Sequence, residues 1–200
     1  MKKEKVYEFA LTIAKNIAKL KKGTLIVIGP KNKFRGMYEK LYPQLISNHN
    51  IKEKGIQIVL EKLATLDGAI LLSDSGEILA YGAKIIKSKP VLGHGTKHAA
   101  ASGITNYIKN STAILVSEEI NWIRVFQNGK IIIEMDPQTM EDSKTLKHKV
   151  ASFLSDKNTA LLTAAGISAA ILGLAPTLVI GGTYLTVKTA TGIIKRHLKL

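Results

Sequence analysis

The chain has 200 residues, 46% of them hydrophobic, with no cysteine and a formal net charge of +14. That length allows one ordinary domain and an appendage; the apolar share excludes bulk disorder, and the lack of cysteine excludes disulfides, thiolate metal sites and a cysteine nucleophile. The charge divides as 14 Lys/Arg against 5 Asp/Glu over residues 1–62, 7 against 9 over 63–143 and 8 against 1 over 144–200, so the basic excess sits at the two ends.

Such a charge fits a nucleic acid or an anionic membrane surface. The chain has no arginine-rich run and no basic strand interleaved with aromatics, so nucleic acid is the weaker reading. The N-terminus does not read as a signal peptide, because Glu4, Glu8, Lys15 and Lys19 interrupt any apolar stretch. A cytoplasmic location is expected.

Val6, Phe9, Ala10, Ile13, Ala14, Ile17 and Ala18 recur at helical spacing, with Gly23 as a stop. Leu25 to Ile28 reads as a buried strand closed by Gly29-Pro30. Residues 31–50 are polar and irregular, apart from a turn of helix around Met37–Leu41. A second helix is expected from Lys52 to about Ala64, with Ile56, Val59, Leu60 and Leu63 facing inward. Ala69 to Leu72 then reads as a strand, Asp74-Ser75-Gly76 as a turn and Ile78 to Tyr81 as its hairpin partner.

A small-residue helix follows from His98 to about Ile108, then a buried strand from Thr112 to Val116. Trp122–Phe126 and Lys130–Glu134 flank Asn128-Gly129, a pair suited to a two-residue turn with positive φ. The fold class expected is α/β (α+β): a mixed central sheet with helices on both faces, plus a C-terminal apolar helical tail. Residues 1–143 form the body, and 144–200 a linking helix (about Thr145 to Leu154) with a basic, apolar tail. Thr159 to Val187 carries no charged residue, a length sufficient for a bilayer's hydrocarbon at about 20 residues. Pro176 and Gly181-Gly182 break it, and basic residues flank both sides. A shallow membrane hairpin and a helical pair packed on protein are both open readings.

Three segments lie where ligands of open sheets gather: Leu66-Asp67-Gly68-Ala69, Gly93 to Ala101, and Val116-Ser117-Glu118-Glu119. In the second, Gly95 lets backbone approach a ligand, Thr96 stands where a helix cap belongs, and Lys97 and His98 add a cation and a donor. The plain alternative is a capped helix with surface Lys and His. Asp67 before Gly68 can hold a divalent cation or orient a sugar hydroxyl, and Glu118-Glu119 offers oxygen to a hard cation. The plain alternatives there are a turn aspartate and a solvated loop edge.

Taken together, the runs Leu66–Ile85, Gly95–Thr105, Thr112–Glu119 and Trp122–Ile131 match a family in order and spacing. The chain resembles the diadenylate cyclase domain over about residues 15–135. That family shows Asp-Gly-Ala, a Gly-x-Arg-His-Arg-Ala-Ala stretch and Val-Ser-Glu-Glu, and Leu20–Gly29 is similar to its first strand. The Ala-rich helix and the Arg124–Lys130 hairpin are nearer to archaeal members.

The resemblance implies a mixed α/β domain that binds ATP. Two such domains face each other as a homodimer or within a larger oligomer, and join two ATP into cyclic di-AMP with Mg²⁺ or Mn²⁺. Carried over by position, Asp67 would act on the 3′-hydroxyl or the metal, with Gly68 beside the ribose. Gly95, Thr96, Lys97 and His98 would hold phosphates, Ser117 would lie near phosphate or base, and Glu119 would ligate metal. Leu79, Ala80 and Tyr81 would line the adenine pocket. Three positions depart from the family: Lys97 replaces its first arginine, Ala99 its second, and Leu66 a frequent histidine. Lys97 keeps charge but loses the bidentate fork. His94, Lys84 and Arg124 are the candidates to compensate, while His49, His148 and His197 read as surface residues. A nucleotide-binding sensor and a membrane-associated adaptor are the alternative functions.

Overall fold

The computed structural model describes residues 2–88, 95–119, 121–137, 144–155 and 179–180. The first helix, α1 (Lys3–Lys19), buries Val6, Phe9, Ala10, Ile13, Ala14, Ile17 and Ala18 as their spacing predicts, and also Tyr7 and Leu11. Its stop is Lys21, in the left-handed region at φ 53°, two residues before the expected Gly23. Gly23 has another use: a Cβ there would stand 2.6 Å from Glu118 Cγ, so glycine lets Glu118 lie against the chain.

The strands are β1 (Thr24–Gly29), β2 (Tyr38–Lys40), β3 (Ala69–Ser73), β4 (Ile78–Ile85), β5 (Thr112–Val116), β6 (Ile123–Gln127), β7 (Lys130–Met135) and β8 (Val179–Ile180). They form one sheet in the order β2-β4-β3-β1-β5-β6-β7-β8. β1 runs parallel to β3 and antiparallel to β5, so the sheet is mixed. As a central strand covered on both faces, β1 needs apolar residues at every position, which explains the unbroken run from Leu25 to Ile28.

Helices α1, α2 (Ile56–Leu63) and α4 (Lys144–Ser155) cover the face built from Ile26, Ile28, Ile70, Leu72, Ile114 and Val116. Helix α3 (Thr96–Tyr107) covers the other, on Leu25, Val27, Ala69, Leu71, Ala113 and Leu115. The alternation of side chains along each strand separates the two cores. On α4, Val150, Ala151 and Leu154 are buried in the first core, at roughly 1.5–3 kcal/mol for a Val or Leu side chain. His148 is exposed but partnered. Its Nδ1 lies 2.7 Å from Glu8 Oε1, and the bond to Glu8, with the charge of Glu4, raises its pKa above the ordinary value.

Several expectations shift. The segment around Met37–Leu41 is not helical: Tyr38–Lys40 is the edge strand β2, paired antiparallel with β4. Helix α2 begins at Ile56, after Gly55 in the left-handed region, four residues later than its periodicity predicts. Val59 is 42% exposed while Leu60 is fully buried, because so short a helix seats only one side chain deep in the core. Val179–Ile180, in the segment read as helical, pairs with β7 as a strand. The rest of the tail lies outside the described residues. Among the described residues, no helix is long and apolar enough to cross a membrane.

Candidate functional site

The three motif segments converge because β1, β3 and β5 are neighbours and β5 runs against the other two. The entrances of β1 and β3 therefore meet the exit of β5 at one edge. Asp67-Gly68 precedes β3, Ser117-Glu118-Glu119 follows β5, and the first turn of α3 lies over them. The gathering point is thus the start of the parallel pair rather than its carboxyl end.

Two adjoining cavities open there. The first, about 320 Å³, is lined by Leu25, Leu41, Ala69, Ala83, Ile85 and Ala100, with Asp67, Thr96 and Lys97 at its polar end. The second, about 290 Å³, is lined by Gly95, His98, Ser117, Glu118 and Glu119, and again by Asp67, Thr96 and Lys97. One cavity is mainly apolar and the other mainly polar, joined through three shared residues. A larger groove of about 650 Å³ lies along α1, with Lys5, Glu8, Ile51 and Lys147 on its walls. It holds none of the motif residues.

The N-cap of α3 is Gly95, extended at φ −73° and ψ 176°, and no side chain caps the helix. Thr96 is the first helical residue rather than the cap. The backbone N–H groups of an uncapped first turn are donors for an anion, and here they border the polar cavity. Lys97 Nζ lies 2.7 Å from Glu118 Oε1. That hydrogen bond, followed by the charge of Lys97, holds the Glu118 carboxyl below its usual range. Asp67 and Glu119 are exposed, whereas Ser117 is buried and its N–H donates to Trp122 O at 3.1 Å.

His98 is 7% exposed and sits edge-on to Phe126, the ring centroids 5.9 Å apart at 77°. Its Nε2 meets Arg124 Nη1, and Arg124 Nε meets Glu134 Oε1. This pair on β6 and β7 was only half visible in the sequence. Arg124 is one of three compensating candidates, while Glu134, which orients it, has no local signal.

Leu79, Ala80 and Tyr81, read as adenine-lining, are not brought to either cavity. β3 and β4 are antiparallel, with Ala69 opposite Ala83 and Leu71 opposite Ala80. The entrance of β3 must therefore face the end of β4, so Ala83, Lys84 and Ile85 line the cavity instead. Tyr81 turns to the α1 face, where its hydroxyl donates to Pro43 O and accepts from Leu45 N–H. Of the compensating residues proposed from sequence, Lys84 reaches the apolar cavity, Arg124 reaches His98, and His94 lies outside the described residues.

A family model described as DisA bacterial checkpoint controller nucleotide-binding matches residues 12–131. The diadenylate cyclase of Methanocaldococcus jannaschii is 31% identical over 121 residues, 58% of this chain and 39% of that protein. That of Haloferax volcanii is 32% identical over 145 residues, 66% of this chain and 52% of that protein. The match thus spans about half, or less, of the length of these relatives. A solved structure described as the hypothetical membrane spanning protein from Bacillus cereus is similar in fold. It is 22% identical with a TM-score of 0.51, covering 62% of this chain and 60% of that one.

Proposed function

The chain belongs to the DisA bacterial checkpoint controller nucleotide-binding family, and on that premise we propose that it is a diadenylate cyclase. The observation that carries the reading is the convergence of Asp67, Thr96 and Lys97 on the border between an apolar and a polar cavity. A nucleotide has that same division into base and phosphates. In this reading adenine enters among Leu25, Leu41, Ala83 and Ile85, the ribose lies at Asp67-Gly68, and the phosphates reach the first turn of α3.

Two chains present their nucleotides to each other. The 3′-oxygen of one ATP forms a bond to the α-phosphorus of the other, and the bond from that phosphorus to the pyrophosphate oxygen breaks. Asp67 accepts the hydroxyl proton. The helix end and Lys97 hold the phosphates while charge moves to the leaving group, so catalysis is positioning and charge neutralisation. Asp67 and Glu119 offer only carboxylate oxygen, a donor set that suits Mg²⁺ or Mn²⁺. Held by these carboxylates, such an ion would neutralise phosphate charge. A lone chain holds half of each reaction and is expected to be inactive. The test is incubation with ATP and Mn²⁺ and analysis of products by mass. Cyclic di-AMP supports the reading, and ATP binding without product would favour a nucleotide sensor. The sensor is favoured by one contact: Glu118 already occupies Lys97, so phosphate must displace a carboxylate.

Lys97→Ala is expected to raise the apparent ATP constant about 10- to 100-fold, the range for a hydrogen bond to a charged group. Adenosine binding should change much less, since only phosphate meets the ammonium. Equal loss of both ligands in titration calorimetry would remove the phosphate role from Lys97.

We propose that the chain divides at 143–144, with α4 docked on the body and the apolar tail beyond it. For Thr159 to Val187, apart from Val179–Ile180, which pair with β7, we propose contact with an anionic membrane at the cytoplasmic face, helped by flanking basic residues worth ~1 kcal/mol each. Residues 1–156 are expected to stay in the supernatant in a liposome sedimentation assay, while the full chain pellets with anionic vesicles. A full chain that ignores vesicles would move the tail onto a protein surface.

A further inference from the structure

Helix α3 carries one fewer cation than the family stretch, since Ala99 stands at its second arginine, and its remaining Lys97 is held by Glu118. A guanidinium nevertheless reaches α3 from the sheet. Arg124 lies opposite Leu115 on β5 and opposite Glu134 on β7. Cross-strand partners share a face, and Leu115 belongs to the face that α3 covers. Three strands in register therefore point Arg124 and Glu134 under the helix, where their side chains are 12% and 16% exposed. Arg124 spends Nε on Glu134 and Nη1 on His98 Nε2.

The chemistry of that contact has one solution. A guanidinium has only N–H donors, so Nε2 must accept, and a neutral imidazole whose Nε2 accepts carries its proton on Nδ1. The Nε2 lone pair is then taken and cannot receive a proton from a ribose hydroxyl. We propose that Arg124, oriented by Glu134, is a positioning residue that fixes His98 as the neutral Nδ1–H tautomer, so that His98 shapes the phosphate cavity and is not the base of the reaction. The catalytic half of this rests on the cyclase reading; the tautomer does not.

The test uses the full chain labelled with ¹⁵N-histidine, without nucleotide, and reads ring tautomers from two-bond ¹H–¹⁵N correlations. His98→Gln assigns the signals of His98 among the five histidines. Wild type and Arg124→Lys are expected to show Nδ1–H at His98. The double variant Arg124→Leu with Glu134→Leu removes both charges together, so no ion is stranded; it is expected to shift His98 toward Nε2–H and to lower kcat about tenfold, with a smaller change in KM for ATP. His98→Gln keeps an acceptor for Arg124 but alters the phosphate cavity, so a loss of rate is expected that stays below the about 10²–10⁴-fold commonly lost with a general base. Nε2–H at His98 in wild type, an unchanged tautomer in the double variant, or a hundredfold loss in folded His98→Gln would each overturn the proposal. A wild-type chain that forms no product would fail the cyclase reading, and the tautomer measurement would still decide this one.

Discussion

Asp67→Asn is expected to abolish cyclic di-AMP formation while leaving the protein folded. Asp67 is exposed at the entrance of β3 and lines both cavities. The amide has nearly the same shape, so neither the strand start nor the adjoining Gly68 should move. What changes is the charge. An amide oxygen is a far weaker proton acceptor than a carboxylate and a poorer partner for a divalent cation. Loss of a general base commonly costs about 10²–10⁴-fold, and the weaker cation partner acts in the same direction. The loss should fall on kcat more than on the ATP constant, because Lys97, the end of α3 and the apolar cavity remain. Mass analysis of products, beside thermal unfolding and ATP titration, checks all three parts. Turnover near wild type in a folded variant would sink the role given to Asp67.

What the sequence shows depends on how far each structural cause reaches along the chain. The β6–β7 hairpin was legible because Asn128 and Gly129, at φ 50° and 77°, satisfy a turn that two residues decide. The burial of α1 was legible because its periodicity is local. β2 was not, since Tyr38, Glu39 and Lys40 carry no strand pattern and pair with β4 only after a separation of more than forty residues. At the site, Asp67, Ser117 and Glu119 come together because the strands beside them flank β1 in one sheet, and Lys97 joins them from the first turn of α3. Leu79–Tyr81, expected to line adenine, lie four residues before the stretch of β4 that borders the apolar cavity. Only the register of Ala69 against Ala83 brings that stretch to the cavity, and the bulges between those strands hide that register from any count along the chain. Glu134 is the same lesson in polar form. Its function exists only once three strands are aligned.

Gly68→Ala is expected to keep the fold, lower the unfolding temperature and cut product formation by more than a hundredfold. Gly68 has φ +92°, and a Cβ there would lie 2.6 Å from the carbonyl carbon of Gly82 and 2.7 Å from Ala83 N. Those atoms are backbone and cannot swing aside. Gly82 is itself crowded: a Cβ on it would stand 2.2 Å from Tyr42 Cδ2. The two glycines let the entrance of β3 press against the bend of β4, which sets the spacing between Asp67 and the cavity wall at Ala83–Ile85. A methyl group must push these apart. Backbone strain of about 1–3 kcal/mol and overpacking of about 1–3 kcal/mol together stay below most of the ~5–15 kcal/mol range of total stability. With about 2–4 °C per kcal/mol at this size, the midpoint should fall on the order of 5–20 °C. A misplacement near 1 Å is enough for a loss of about 10²-fold in rate. Gly55→Ala supplies the control, since Gly55 also has positive φ, at +84°, but nothing lies within 4 Å of its added Cβ. That variant should lose some stability and keep its product. If the two variants matched in both unfolding temperature and turnover, close backbone contact at Gly68 would not be what builds the site.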